Sequence, residues 1–299
     1  MIVLSKKLIY LLLISIISFV SIANSDNEEY LFSDRYDIIP KERNKIINKK
    51  IYLKPDIKTN FYIRINSFPD RDTLIVLFHG GKNSAVEFMQ NTNLHGRIVE
   101  EGYDFLLVPS YGSKDYISEY KNNEVVMNSI MRELNSHYRK IVFLGYAEGA
   151  TYMTKYYCNN QDKSETRRVM YIWNINGTIP KDCQINNNVN YNILYGTKME
   201  LSNYYSKDDY YTDYGELSSY LAGTCSIDGY SVNHGSSSND VYLEQAVLGC
   251  NEENNVNIFR AINMERNFPY TNKLEMIGFK GDEIPNFDMV NFIKKINYL

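Results

Sequence analysis

The sequence predicts an α/β fold, a mostly parallel central sheet with helices on both faces. Three observations carry this. Apolar strand-like runs alternate steadily with segments of helical periodicity, the pattern of a parallel sheet covered on both sides. Thr73 to Phe78 is a continuous apolar run, as expected of a central strand buried on both faces. Ile141 to Ala150 reads as a buried strand that passes through Gly145-Tyr146-Ala147-Glu148-Gly149 straight into a helix.

At 299 residues the chain is long enough for one large α/β domain. The N-terminus reads as an export signal, residues 1–23. Lys6 and Lys7 give a positive start, Leu8 to Ile22 is apolar apart from serines, and Ser21-Ile22-Ala23 places small residues for cleavage. The apolar run is shorter than the ~20 residues that span a bilayer, so no stable membrane anchor is expected after cleavage. No cysteine stands near the cleavage site, which disfavours a lipoprotein. Residues 24–48 are polar and read as a flexible leader, and 49–299 as a single domain.

The elements follow in order. Ile51 to Leu53 and Tyr62 to Ile65 read as paired antiparallel strands, the second with period-two alternation. After the strand Thr73–Phe78 and the turn His79-Gly80-Gly81, a helix is expected from about Ser84 to Glu101, with Val86, Phe88, Met89 and Leu94 inward. Asp104 to Val108 is a strand. Asn123 to Tyr138 is a helix with Val125, Val126, Ile130, Met131 and Leu134 at helical spacing. Lys140 to Leu144 is the next strand and Ala147 to Cys158 the next helix. Val169 to Ile175, Tyr191 to Tyr195 and Val256 to Ile262 are further strands, the last after a long, irregular, Tyr-rich stretch. Phe287 to Ile296 reads as a closing amphipathic helix.

Removing Lys6 and Lys7 takes the formal charge from −4 to −6, and without basic blocks the chain is a poor nucleic-acid binder. Four cysteines, Cys158, Cys183, Cys225 and Cys250, favour two disulfides in an exported chain, with three possible connectivities. The pairing adopted joins nearest neighbours, Cys158–Cys183 and Cys225–Cys250. Each would close about 25 residues and contribute about 3 kcal/mol. No zinc-ligand spacing is present, and no metal or other cofactor is expected.

The Gly-x-x-x-Gly strand-to-helix segment is the setting of a nucleophile elbow, in which glycines permit the tight turn. The nucleophile position holds Ala147. With the preceding His-Gly-Gly turn, the segment resembles the secreted poly(3-hydroxybutyrate) depolymerase and feruloyl esterase branch of the α/β hydrolases. The resemblance runs from about residue 60 to the C-terminus. Thr73 to Phe88 matches the segment that carries that family's oxyanion donor. Cys158, eleven residues past the elbow, stands where those enzymes often have a cysteine. Leu194-Tyr195-Gly196-Thr197 resembles their acid motif, and Arg266-Asn267-Phe268-Pro269 their His-x-Trp-Pro base motif. The resemblance implies an α/β-hydrolase fold whose triad positions read Ala147, Met199 and Arg266. No histidine lies beyond His234.

An alanine cannot attack an acyl carbon, and arginine is no base near neutral pH. The expected function is therefore that of an exported, inactive hydrolase homologue that binds through a remodelled pocket. Its partner would be a small acyl, phenolic or glycan ligand, or a protein. The alternatives are a divergent ester hydrolase with a non-standard site, and a structural role at the cell surface. Pocket candidates are His79, Gly80, Gly81, Tyr146, Glu148, Glu200 and Arg266. Backbone N–H groups at the elbow and at Gly80 and Gly81 favour an anion or a polarised oxygen. Arg266 either strengthens that site or bridges surface carboxylates. Glu148 and Glu200 could activate water, although solvated loop carboxylates are the expected reading. His79 is expected to bond nearby backbone, and His95 and His137 to be surface or packing histidines. Tyr204, Tyr205, Tyr210, Tyr211, Tyr214, Tyr220 and Tyr230 could stack on sugars or form an interface, with coding bias explaining part of their number.

Overall fold

The computed structural model describes residues 45–54, 57–65, 72–80, 85–92, 94–111, 115–183, 189–196, 209–211, 214–233, 242–249 and 255–262. Twelve strands lie within them: β1 (Ile47–Lys54), β2 (Ile57–Arg64), β3 (Thr73–Phe78), β4 (Asp104–Val108), β5 (Lys140–Tyr146), β6 (Val169–Ile175), β7 (Ile179–Pro180), β8 (Asn190–Gly196), β9 (Tyr210–Tyr211), β10 (Ser226–Asn233), β11 (Tyr242–Gly249) and β12 (Asn255–Ile262). The helices are α1 (Ala85–Thr92), α2 (Leu94–Glu100), α3 (Tyr120–His137), α4 (Glu148–Asn160) and α5 (Tyr214–Thr224).

Ten strands form one sheet in the order β1-β2-β4-β3-β5-β6-β8-β12-β11-β10. The stretch from β4 to β12 is parallel. The hairpin β1–β2 joins β4 antiparallel at one side, and β11 and β10 extend the sheet antiparallel at the other. This order, with helices on both faces, is the α/β-hydrolase fold.

Side-chain alternation divides the apolar strands between two cores. Leu74, Val76 and Phe78 of β3 point into a cluster with Val126, Met127 and Ile130 of α3 and Tyr152 and Met153 of α4. Ile75 and Leu77 point the other way, toward Phe88 of α1, Leu94 and Ile98 of α2, and Trp173. The chain leaves β3 toward β4 and then returns past it to β5. The carboxyl ends of β3 and β5 therefore form a topological switch point, where α/β sheets place their ligand sites.

Several expectations need correcting. The single helix from Ser84 to Glu101 is two helices. Thr92 Oγ1 donates to the Phe88 carbonyl at 2.7 Å and accepts from the Leu94 N–H at 3.3 Å, closing one helix and opening the next. Val86 and Val125 are exposed at 38% and 37%, one position off the inward stripes. Helix α3 begins three residues early, because Asn123 works inside its first turn. Its Oδ1 accepts from Tyr111 N–H and its Nδ2 donates to the Tyr116 carbonyl. The Tyr-rich stretch contains β9, α5, β10 and β11 and is not uniformly irregular. Strand β1 begins at Ile47, inside the segment read as leader. The expected helix Phe287–Ile296 lies outside the described residues, as does the signal segment. Among the described residues no helix is long and apolar enough to cross a membrane.

Cys158, near the end of α4, is joined to Cys183, just past β7, with Cα atoms 5.2 Å apart. This is the first of the two nearest-neighbour pairs expected. Cys225 is also disulfide-bonded; Cys250 lies outside the described residues. Replacing Cys158 and Cys183 together by alanine should lower stability by about 3 kcal/mol, the chain-entropy value for a loop of this length. Urea unfolding of the oxidised variant and wild type measures it; a loss below about 1 kcal/mol contradicts the assignment of that role.

Candidate functional site

The elbow is built by glycines and closed by an alanine. At the end of β5, Ala147 has φ 52° and ψ −121°, and α4 begins at the next residue. A non-glycine residue is held there at a cost of about 1–3 kcal/mol, so the surroundings must impose the turn. They do so by close approach. A Cβ on Gly145 would stand 2.5 Å from Ala150 Cα, and one on Gly149 would stand 2.2 Å from the His79 carbonyl oxygen. The Ala147 N–H donates to the Ile175 carbonyl at 2.8 Å, and its carbonyl accepts from Thr151 N–H at 3.1 Å. The neighbouring turn Asn176-Gly177-Thr178 seals the other side. Asn176 also has positive φ, 54°, and Thr178 N–H donates to Thr151 Oγ1 at 2.9 Å.

The Ala147 methyl therefore stands at the apex of this turn, beside the β3 turn. A Cβ on Gly80 would lie 3.6 Å from it. His79 is buried. Its Nδ1 donates to the Gly80 carbonyl at 2.8 Å, which fixes the tautomer, and its Nε2 has no partner among the described residues. Burial lowers its pKa against the raising effects of the Gly80 carbonyl and Glu87, so the ring is neutral near pH 7. The tilted Tyr116 ring lies 5.1 Å away. Tyr146 is packed away from solvent beside Phe88, with ring centroids 6.4 Å apart.

Glu148 departs from its expected reading as a solvated loop carboxylate. It is the first residue of α4 and is half-buried. Its Oε1 accepts from Ile117 N–H at 3.1 Å. Burial is the main cause that pushes its pKa to about 7. The Ile117 and Tyr116 N–H groups pull down, while the nearby Asp115 carboxyl pushes up. Burial raises Asp115 as well, but hydrogen bonds from Ser118, Glu148 and Ile117 outweigh it and hold Asp115 below its ordinary value.

The structure thus brings together Ala147, Tyr146, Glu148, His79 and Gly80. Gly81, Met199, Glu200 and Arg266 lie outside the described residues, as do His234, Tyr204 and Tyr205. His95 is half-buried and edge-on to Phe105, and His137 faces Glu133 at 3.3 Å. Asp115 and Tyr116 were not anticipated. Asp115-Tyr116-Ile117-Ser118 carries a visible signal, an Asp whose Oδ1 accepts from the N–H three residues on at 2.5 Å. Nothing in the sequence shows that this turn meets Glu148.

No model of a known protein family matches the chain, and no curated protein matches it. Solved structures do. The Pyrococcus furiosus esterase Pf2001 is 10% identical over 52% of this chain and 72% of that one, with a TM-score of 0.39. An α/β serine hydrolase homologue from Coxiella burnetii is 11% identical over 75% and 90%, at 0.43. The S-formylglutathione hydrolase from Staphylococcus aureus is 13% identical over 62% and 87%, at 0.42. At such distances the likeness carries no argument about activity, and the fold rests on the strand order and the elbow described above.

Because Ala147 sits at positive φ, Ala147→Gly should stabilise the protein by about 1 kcal/mol, relief of strain outweighing the entropy glycine adds to the unfolded chain. Urea midpoints of the two proteins test this; a lower midpoint for the glycine variant means the turn is not strained.

Proposed function

We propose that this chain is an exported, catalytically inactive homologue of the α/β hydrolases. In this reading it binds a small acyl, phenolic or glycan ligand, or a protein, at the remodelled elbow. The observation that carries the reading is the alanine held in the strained elbow turn. The backbone geometry that serves a nucleophile is kept, and the group that would attack is a methyl. Loss of the nucleophile in a triad hydrolase costs on the order of 10⁶ in rate, beyond what nearby polar groups recover. The N–H groups that open α4 lack intrahelical acceptors and favour an anion or a polarised oxygen in front of the methyl. The sequence resemblance to the depolymerase and feruloyl esterase branch, with Met199 and Arg266 at the other triad positions, belongs to the same reading. Export is supported by the signal-like N-terminus and by the disulfide, since such bonds persist in oxidising compartments.

A second reading has one observation in its favour. Glu148, next to the elbow and with a pKa of about 7, has the basicity of a group that activates water at neutral pH. Hydrolysis of short and medium p-nitrophenyl esters and of a feruloyl ester by the mature, disulfide-bonded protein separates the two. The binding reading expects no turnover above an Arg266→Ala, Glu148→Ala double variant. Turnover that this variant loses would establish a rebuilt ester hydrolase in its place.

A further inference from the structure

Asn176-Gly177-Thr178 is the only Asn-x-Ser/Thr triplet in the chain, and the fold places it in the turn that seals the elbow. In an exported chain this triplet is the acceptor of an N-linked glycan, and occupied acceptors lie in surface loops because the sugar is bulky and hydrated. Here all three residues are buried, Asn176 with 0% exposure. Its φ of 54° is in the left-handed region that asparagine tolerates. The Asn176 N–H donates to the Leu194 carbonyl at 2.8 Å, and its Oδ1 accepts from Gly196 N–H at 3.1 Å, so the side chain is turned inward against the end of β8. Gly177 N–H donates to Asn174 Oδ1 at 3.0 Å, and a Cβ on Gly177 would stand 2.8 Å from the Ala147 carbonyl oxygen. The Thr178 hydroxyl lies 3.1 Å from that of Thr151. The acceptor triplet is therefore accessible only before the chain folds.

We infer that Asn176 accepts an N-linked glycan while the chain is unfolded, and that glycan and fold exclude each other, so the protein matures only on a route where this transfer does not occur. The donor is a lipid-linked oligosaccharide pyrophosphate. The Asn176 Nδ2 attacks C1 of the first sugar, the N–C1 bond forms as the C1–O bond to the lipid pyrophosphate breaks, and the amide nitrogen loses one proton. The product carries a sugar ring on a side chain that the folded protein surrounds with close-packed atoms. Turning the modified side chain outward would take its Oδ1 away from the buried Gly196 N–H. Making room would part the ends of β6 and β8, which pair through Asn174–Ile193 and Ile175–Leu194. It would also disturb the elbow, because the Ile175 carbonyl holds the Ala147 N–H. This goes beyond the binding role proposed above and does not depend on it; the export reading enters only in what the exclusion says about the native route.

Position 178 separates the glycan from the packing of the turn. Thr178→Val removes the acceptor triplet and leaves Asn176 in place, at the loss of the hydroxyl contact with Thr151. The Thr151 hydroxyl keeps its bond to the Ala147 carbonyl and still accepts from the residue 178 N–H. Thr178→Ser keeps both the triplet and the hydroxyl. A purely structural role of this residue ranks Ser above Val, and the glycan conflict ranks Val above Ser.

Expression in a eukaryotic host that N-glycosylates, with residues 1–23 replaced by a host signal sequence, tests this. Wild type and Thr178→Ser should be retained in the cell with a glycan that an endoglycosidase removes, and no glycan-bearing chain should reach the medium folded. Thr178→Val should be secreted without a glycan. Blocking synthesis of the lipid-linked donor should return the wild type to the medium, a readout that needs no substitution. Folded, secreted protein with a glycan on Asn176 overturns the exclusion. A wild type that is never modified overturns the assignment of Asn176 as an acceptor. Retention that persists when the donor is withheld shows another cause and overturns the proposal as well.

Discussion

The close approach of β3 and β5 to the start of α4 is the constraint on which the rest of the site depends. Two glycines make it possible. Gly149 lets α4 lie against the His79 carbonyl at a distance no Cβ tolerates, and Gly145 does the same against Ala150. Once strand and helix are that near, the residue between them has no choice of conformation, and Ala147 is forced to positive φ. The buried β3 turn, the packed ring of Tyr146 and the first turn of α4 then converge at the carboxyl ends of the switch-point strands. Packing sets this geometry, whichever side chain stands at position 147.

Much of this was legible along the chain because it is local. Thr73–Phe78 and Ile141–Leu144 are near-continuous apolar runs buried on both faces, the pattern of central parallel strands. The glycine spacing around Ala147 likewise marks the tight strand-to-helix turn. What escaped detection depends on contacts between distant segments. Val125 and Val126 read alike in sequence, and only the position of the sheet beneath α3 decides that the first is exposed and the second buried. The antiparallel strands β10 and β11 show weak apolar patterning, and pairing with β12 selects them. Thr92 ends a helix by bonding to its own turn, a choice that its propensity alone does not dictate.

Glu148 shows the same limit within the site. A glutamate at the first position of a helix reads as a favourable surface residue, because the helix N-terminus attracts negative charge. Its environment is set by a turn thirty-one residues earlier in the chain, which brings Ile117 N–H to one oxygen and another acid to the side chain. Position within the helix therefore favours the carboxylate, and tertiary burial favours the acid. Burial prevails because water is the main stabiliser of a carboxylate, and two N–H groups with a helix terminus replace only part of it.

The strained alanine and the half-buried glutamate beside it are both consequences of how tightly this turn is packed. A catalytic serine is a single side chain, exchangeable for a methyl without moving the backbone. The turn that presents it is different. It is held by Gly145, Gly149 and Gly177, each of which excludes a Cβ, and by backbone bonds from Ala147 to Ile175 and Thr151. Relaxing that turn would mean separating strand β5 from helix α4 at the centre of the molecule, at far greater cost than the strain in one residue. The elbow is thus fixed by packing, whatever side chain it presents, and the polar groups around it, Glu148 foremost, lie in a partly dry niche where small changes of charge have large effects.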